Sequence, residues 1–342
     1  MLNAETLAPS DTAPASVTAA SPGHTSALAR LLVALAEASY RFITPTPLTH
    51  QRVLAHRKDK GGSTLRDIFG WNLPFHAAAL PPELLKLMRD AGVLSSRREL
   101  FSSTVRVSSL GEDLFLHSAY PTTQENAVFF GPDTYRFARF LQQSLQGWGP
   151  KETPGRPLRV LDVGCGSGAG GIAAARCLAQ GARTLALTMN DINPLALHYT
   201  AVNAACADIA VALAEGDALS AVAGEFDLIV SNPPYLDDAA ARAYRHGGAR
   251  LGRALSVRFA RESLARLAPG GRLLLYTGVA IVEGVDTLIA ELQPLLAAAR
   301  CEWSYTEIDP DVFGEELERP VYAHADRIAA VGLVARRTLT EA

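Results

Sequence analysis

The chain of 342 residues is 48% apolar and 20% charged, enough for a sizeable core and for two domains. Its net charge of -3 argues against a globally basic binder of nucleic acid or anionic membrane and leaves only a local basic face for such a role. Cys165, Cys177, Cys206 and Cys301 are scattered without a CxxC pair, and the eight histidines lack ligand spacing; neither a disulfide framework nor a zinc site is expected, and a reducing, cytoplasmic setting fits.

Residues 1–26, MLNAETLAPSDTAPASVTAASPGHTS, lack the positive start and apolar centre of a secretory signal, and their Ala, Ser, Thr and Pro content predicts a disordered tail. Next, Leu28, Leu31, Leu32 and Leu35 share one face of an amphipathic helix, expected to end near the prolines of 44–47 (TPTP). TLRDIFGW and PPELLKLMRDAG predict two more helices, the second opened by Pro82 and stopped by Gly92. Val105 and Val107 alternate before a Gly-Glu-Asp turn, with Leu114 and Leu116 after it, which predicts a hairpin. Helices and a two-stranded wing make residues 27–118 a helical, winged-helix-like module, suited to substrate recruitment or to packing.

Residues 119–342 form the second domain. LRVLDV, TLALTM, IAVAL, FDLIV and RLLLYT are short apolar runs separated by Ala-rich helical stretches, the pattern of a parallel, doubly wound α/β sheet. No run approaches the about 18 apolar residues of a membrane span. Ligands of such sheets bind beyond the carboxyl ends of the strands, where every motif below falls.

VLDVGCGSGAGG carries Gly164, Gly166 and Gly168, which let the strand-to-helix turn run close to a ligand. The spacing is GxGxG, and Asp162 precedes the first glycine. A carboxylate there repels a pyrophosphate and favours a ligand with a positive amino or sulfonium group, such as S-adenosylmethionine. In NDINPLAL, Asp191 ends the second strand, where it can accept two ribose hydroxyls; Asp191 or Asn193 can equally cap the helix that begins at Pro194. Asp217 and Ala218 follow the third strand, where the Asp is either a partner for the adenine amino group or an ordinary turn residue.

The fourth strand runs into Asn232-Pro233-Pro234-Tyr235. Two prolines force a rigid extended backbone, so the Pro233 carbonyl and the Asn232 oxygen can together grip the hydrogens of an NH2 group. Tyr235 then offers a flat face to a planar amide or base. Arginines between Arg242 and Arg272 could form a rim for phosphates or an acidic protein, or be a solvated helix face.

With these motifs in order, the sequence resembles the class I S-adenosylmethionine-dependent methyltransferases of the NPPY group, and most of all the HemK-type glutamine N5-methyltransferases that act on release factors and ribosomal proteins. The resemblance covers about residues 125–335 and rests on VLDVGCGSG, NDINPLAL with Asn203, and NPPY; VFFGPDT (128–134) and GGARLGRALSVR (247–258) sit where the family carries related segments. The sequence departs at Phe130-Gly131, where the family has a Pro-Arg pair, and at Tyr276, where it has an acidic residue after strand five. The resemblance implies a seven-stranded Rossmann-like methyltransferase domain with S-adenosylmethionine as cofactor, bound by Asp162, Gly164, Gly166, Gly168, Asp191, Asp217, Ala218 and Asn232. Asn232, Pro233 and Tyr235 are the implied catalytic residues. The acceptor it implies is a protein glutamine of a translation factor or ribosomal protein. Relatives with NPPY also methylate adenine N6, and close cousins with NPPF methylate guanine N2 in RNA, so an RNA or DNA base is the alternative. A nucleic-acid-binding regulator without turnover is a third reading, opposed by the intact NPPY and aspartate pair.

Overall fold

The computed structural model describes residues 18–20, 26–57, 61–149, 156–179, 184–238, 242 and 244–339. Within the expected tail, β1 (Thr18–Ala20) pairs antiparallel with residues 211–213; the rest of that expectation lies outside the described residues. In α1 (Ala27–Glu37), Ser26 accepts the Ala29 amide and Leu28, Leu31, Leu32 and Leu35 are buried. The helix stops well before the TPTP segment, which instead starts α2 (Pro47–Ala55). Thr46 caps that helix and Pro47 sits where no amide donor is needed, so the prolines act as a start signal. TLRDIFGW yields one π turn at Arg66–Gly70 rather than a full helix. Then comes α3 (Pro82–Asp90), with Gly92 at φ +69° after it.

Two hairpins follow instead of one. Strands β2 (Leu94–Arg97) and β3 (Leu100–Ser103) form a largely polar hairpin that gives no apolar alternation to read. The expected hairpin is β4 (Val105–Leu110) with β5 (Asp113–Ser118), turned at Gly111-Glu112.

The second domain runs α4 (Pro132–Leu145), β6 (Leu158–Val163), α5 (Ala169–Leu178), β7 (Leu185–Asp191), α6 (Pro194–Cys206), β8 (Val211–Glu215), β9 (Phe226–Ser231), α7 (Ala254–Leu264), β10 (Leu267–Val282), β11 (Val285–Asp286), α8 (Thr287–Ala298), β12 (Cys301–Asp309) and β13 (Arg327–Arg337). The sheet order is β1-β8-β7-β6-β9-β10-β13-β12, with β11 paired to β10. The seven strands from β8 to β12 are the Rossmann-like core; β6 to β10 run parallel, and β13 is inserted antiparallel between β10 and β12. Because β6 is flanked by β7 on one side and β9 on the other, the crevice at its carboxyl end is the switch point of the sheet. Among the described residues no helix is long and apolar enough to cross a membrane.

The module and the α/β domain share a core. Leu31, Leu35, Val107 and Leu116 of the module pack in one cluster with Ala196, Tyr199 and Val202 of α6. Arg176 makes two bonds to Asp113, at 2.8 and 3.1 Å, across the same seam. Removing residues 1–118 would therefore bare an apolar face of α6, and burial of side chains like these is worth roughly 1.5–3 kcal/mol each. We expect the full chain to melt in one transition and residues 119–342 alone to aggregate or to melt far lower; scanning calorimetry on the two chains checks this, and two independent transitions in the full chain would contradict it.

Candidate active site

The turn from β6 to α5 passes through Gly164, Gly166 and Gly168 at φ +70°, +56° and +78°, a conformation that other residues adopt only at a cost. Its backbone is bonded on every side. Asn190 O accepts the Gly164 and Cys165 amides at 2.9 Å, and Asp191 Oδ2 accepts the Gly166 amide at 2.8 Å. Thr200 Oγ1 donates to Gly166 O at 3.0 Å, and Asn203 Nδ2 to Ser167 O at 2.9 Å. Below the turn, Asp162 Oδ2 accepts the Gly171 amide at 2.7 Å.

This turn lines one half of a cavity of about 1310 Å³, open mouth included. Of the residues named from the sequence, Asp162, Gly164, Gly166, Asp191, Asp217, Ala218, Asn232, Pro233 and Tyr235 all line it. Gly168 does not; it begins α5 behind the wall, where a Cβ would meet Thr200 at 3.0 Å. At Asp191 the two sequence readings separate onto different residues. Asn193 caps α6 by accepting the Leu195 amide at 3.0 Å, while Asp191 faces the cavity and accepts the Asn193 amide at 2.9 Å.

Two carboxylates, Asp162 and Asp191, thus sit close together in the glycine-turn half of the cavity, with no basic partner among the described residues. Burial raises Asp191 above the ordinary carboxylate range, against the amides that lower it. Burial, and secondarily the Asp191 charge, push Asp162 to about 7. Such a site fits a cationic ligand and rejects a phosphate. Asp217 is different: Arg258 donates to both its oxygens, at 2.5 and 2.9 Å, and holds it below its ordinary value. Any adenine contact there shares the carboxylate with Arg258. Ala218 follows at φ +48°, a strained position on the cavity wall.

The other half of the cavity is built at the end of β9. Asn232 is half-buried on the cavity, and no described protein group takes its side-chain amide. Tyr235 is a fixed wall rather than a free-standing plate. Its ring packs where a Cβ on Gly278 would come within 2.1 Å, it meets Phe313 edge-on at 5.8 Å, and its hydroxyl donates to Asp133. The 244–252 loop presses on the same backbone: a Cβ on Gly252, at φ +85°, would lie 2.1 Å from Tyr235 O.

Asp133 went unrecognised in the sequence. It lies in the first turn of α4, is 5% exposed, lines the cavity, and also accepts from Tyr276 Oη at 3.0 Å and Arg136 at 3.2 Å. Tyr276, where the resemblance led us to expect an acid, thus reaches an acid supplied by another element. Only VFFGPDT pointed there. Burial still raises Asp133 above its ordinary value despite these donors.

Five of the eight arginines between 242 and 272 are ion-paired. Arg242 pairs with Asp238, Arg245 with Glu316, Arg250 and Arg253 with Glu291, and Arg258 with Asp217. Glu316 comes from the segment before the last strand, which also supplies Phe313 to the cavity.

Residues 139–280 match the family model of the methyltransferase small domain. The chain is 35% identical over 172 residues to the release factor glutamine methyltransferase of Deinococcus radiodurans, covering 46% of this chain and 55% of the relative. It is 38% identical over 117 residues to ribosomal RNA small subunit methyltransferase C of Chromohalobacter salexigens, covering 34% and 30%. The solved 16S rRNA N2 G1207 methyltransferase of T. thermophilus aligns at a TM-score of 0.43 and 16% identity, over 74% of this chain and 61% of that one. The chain spans about half the length of the release factor relatives it matches, and less of the ribosomal RNA ones.

Two outcomes follow from this geometry. Asp162 titrates at about 7 when folded and ordinarily at 3.8, so its burial costs nothing below about 4 and its full amount above 7. Asp162→Asn keeps an oxygen for the Gly171 amide and carries no charge to bury. Its melting temperature should exceed the parent's at pH 8, with the gain closing by pH 4, while its affinity for S-adenosylmethionine falls; a pH-independent difference would remove the buried charge from the account. Tyr235→Phe strands an Asp133 oxygen and should destabilise by about 1–3 kcal/mol in urea titrations. Adding Asp133→Asn should recover part of that loss, and simple additivity would show the pair to be uncoupled.

Proposed function

From the match of residues 139–280 to the family model of the methyltransferase small domain, we propose that this chain is an N-methyltransferase using S-adenosylmethionine as donor and a protein glutamine side chain as acceptor. S-adenosylmethionine supplies an electrophilic methyl group on a sulfonium. The donor half fits it through its own chemistry: the Asp162 carboxylate, buried without a cation, faces the positive methionyl end, and Asp191 accepts ribose hydroxyls. Gly164 and Gly166 leave the backbone open to close approach, and Asp217 and Ala218 border the adenine end.

The observation that carries the acceptor reading is the unpartnered amide of Asn232 on a rigid Pro-Pro backbone. Its oxygen and the Pro233 carbonyl accept the two hydrogens of an NH2 group, which directs the nitrogen lone pair toward the donor half. Positioning of this kind supplies much of the acceleration. Tyr235, fixed by Asp133 and Gly278, limits the depth of the subsite. A glutamine is favoured over a nucleobase because Arg242 and Arg245 at this mouth are ion-paired with Asp238 and Glu316 rather than left to meet a phosphate backbone. The release factor relative supports the same choice.

Asn232→Ala should slow methyl transfer by about 10²-fold or more while leaving donor affinity near that of the parent. Asn232→Asp, which keeps an acceptor oxygen, should retain partial activity. The acceptor is read by incubating the enzyme and methyl-labelled donor with lysate from a deletion strain and treating halves with protease or nuclease. Protease-sensitive label with a shallow salt dependence supports the glutamine. Nuclease-sensitive label with a steep one overturns it in favour of a base.

A further inference from the structure

Asn203 lies on α6, 1% exposed, and is not part of the cavity wall. Its side chain nevertheless makes three hydrogen bonds to two separate parts of the chain. Asn203 Oδ1 accepts the Leu116 amide at 2.8 Å, and Nδ2 donates to Leu116 O at 3.1 Å. The same Nδ2 donates to Ser167 O at 2.9 Å, in the glycine turn. Toward β5 the amide imitates a neighbouring strand, using the edge that β4 leaves open; toward the turn it fixes the carbonyl of a residue that does line the cavity. Every donor and acceptor of this side chain is occupied, in a site where an unpaired polar group is costly.

We infer that Asn203 is a positioning residue through which the N-terminal module sets the geometry of the glycine turn, so that the occupancy of the donor site and the seating of the wing hairpin are coupled. The inference rests on the donor reading proposed above. Coupling of this sort is reciprocal: a ligand that prefers the ordered turn tightens the hairpin, and whatever loosens the hairpin weakens the ligand. The contacts make it specific to Asn203. Thr200 holds the adjacent carbonyl of Gly166 from the same helix without touching the module. Arg176 and Asp113 join the two domains without touching the turn. Asn203 alone among the described residues bonds to both β5 and the glycine turn. The module therefore acts on the donor site from behind, besides any role it has in meeting a substrate.

The test needs no acceptor. S-adenosylhomocysteine is titrated into the full chain by calorimetry, and amide hydrogen exchange is followed in peptides covering residues 105–118. In the parent chain the ligand should slow exchange in these peptides, although none of their residues lines the cavity. Asn203→Ala should bind the ligand about tenfold or more weakly and lose that protection. Thr200→Val should also weaken binding but keep the protection. Leu296→Ala, in the core under α8 and outside both the module and the cavity wall, controls for instability and should bind close to the parent. Should Asn203→Ala fail to fold, Asn203→Asp, which keeps the acceptor and loses both donated bonds, is read in the same way. Unchanged exchange in the parent on binding overturns the coupling, as does an Asn203 variant that binds like the parent or a Leu296→Ala chain that weakens equally. A parent chain that does not bind S-adenosylhomocysteine at all would instead overturn the donor reading.

Discussion

The turn between β6 and α5 is the constraint on which the rest of the site depends. A ligand-facing turn must expose backbone and yet hold one shape, and a glycine-rich segment has little intrinsic preference for any. Here the shape comes from side chains on other elements: Asp191 at the end of β7 fixes an amide of the turn, and Thr200 and Asn203 on α6 fix its carbonyls. Helix α6 can do this only if it is itself immobile, and its outer face is buried against the module. The chain from module core to helix to turn to cavity is continuous. A module that looks separable in the sequence is structurally part of the support of the glycine turn.

The acceptor half reaches rigidity by another route. Asn232 keeps its amide unpartnered because the backbone beneath it is immobilised by two prolines and by the glycine-containing loop that presses on Tyr235. The buried Asp133 collects two tyrosine hydroxyls and an arginine, joining α4, the end of β9 and β10 at one point. Each partner alone would be a costly buried polar group; together they satisfy one another.

What was legible in the sequence follows the range of the interaction. Strands β6 and β9 are buried on both faces and read as apolar runs, and the prolines and glycines of the turns carry their backbone consequences locally. Helix α2 was missed because its first proline looks like a breaker when the capping threonine before it is overlooked. The β2–β3 hairpin was missed because its faces are mostly polar and exposed. Asp133 and the true employment of the arginines were hidden for a deeper reason. Asp133 meets Tyr235 and Tyr276 across 102 and 143 residues of sequence, and Arg245 meets Glu316 across 71. No local spacing records such pairings. Arginines that looked like a rim in the sequence are internal ties in the fold.

The same long-range ties bear on why the donor half holds acids without cations. A buried carboxylate near 7 is a standing cost to the folded chain, and a pair of them costs more because each disfavours charge on the other. An arginine nearby would have removed the cost, and the chain has them to spare; Arg258 is at the cavity already, spent on Asp217. Leaving Asp162 and Asp191 unpaired makes sense if the missing charge arrives with the ligand. A cationic ligand would relieve that electrostatic penalty, which favours it over a neutral molecule of the same shape. The carboxylates are destabilising as structure and selective as a site, and the hydrogen bonds from Gly166, Gly171 and Asn193 are what keep them in place while the site is empty.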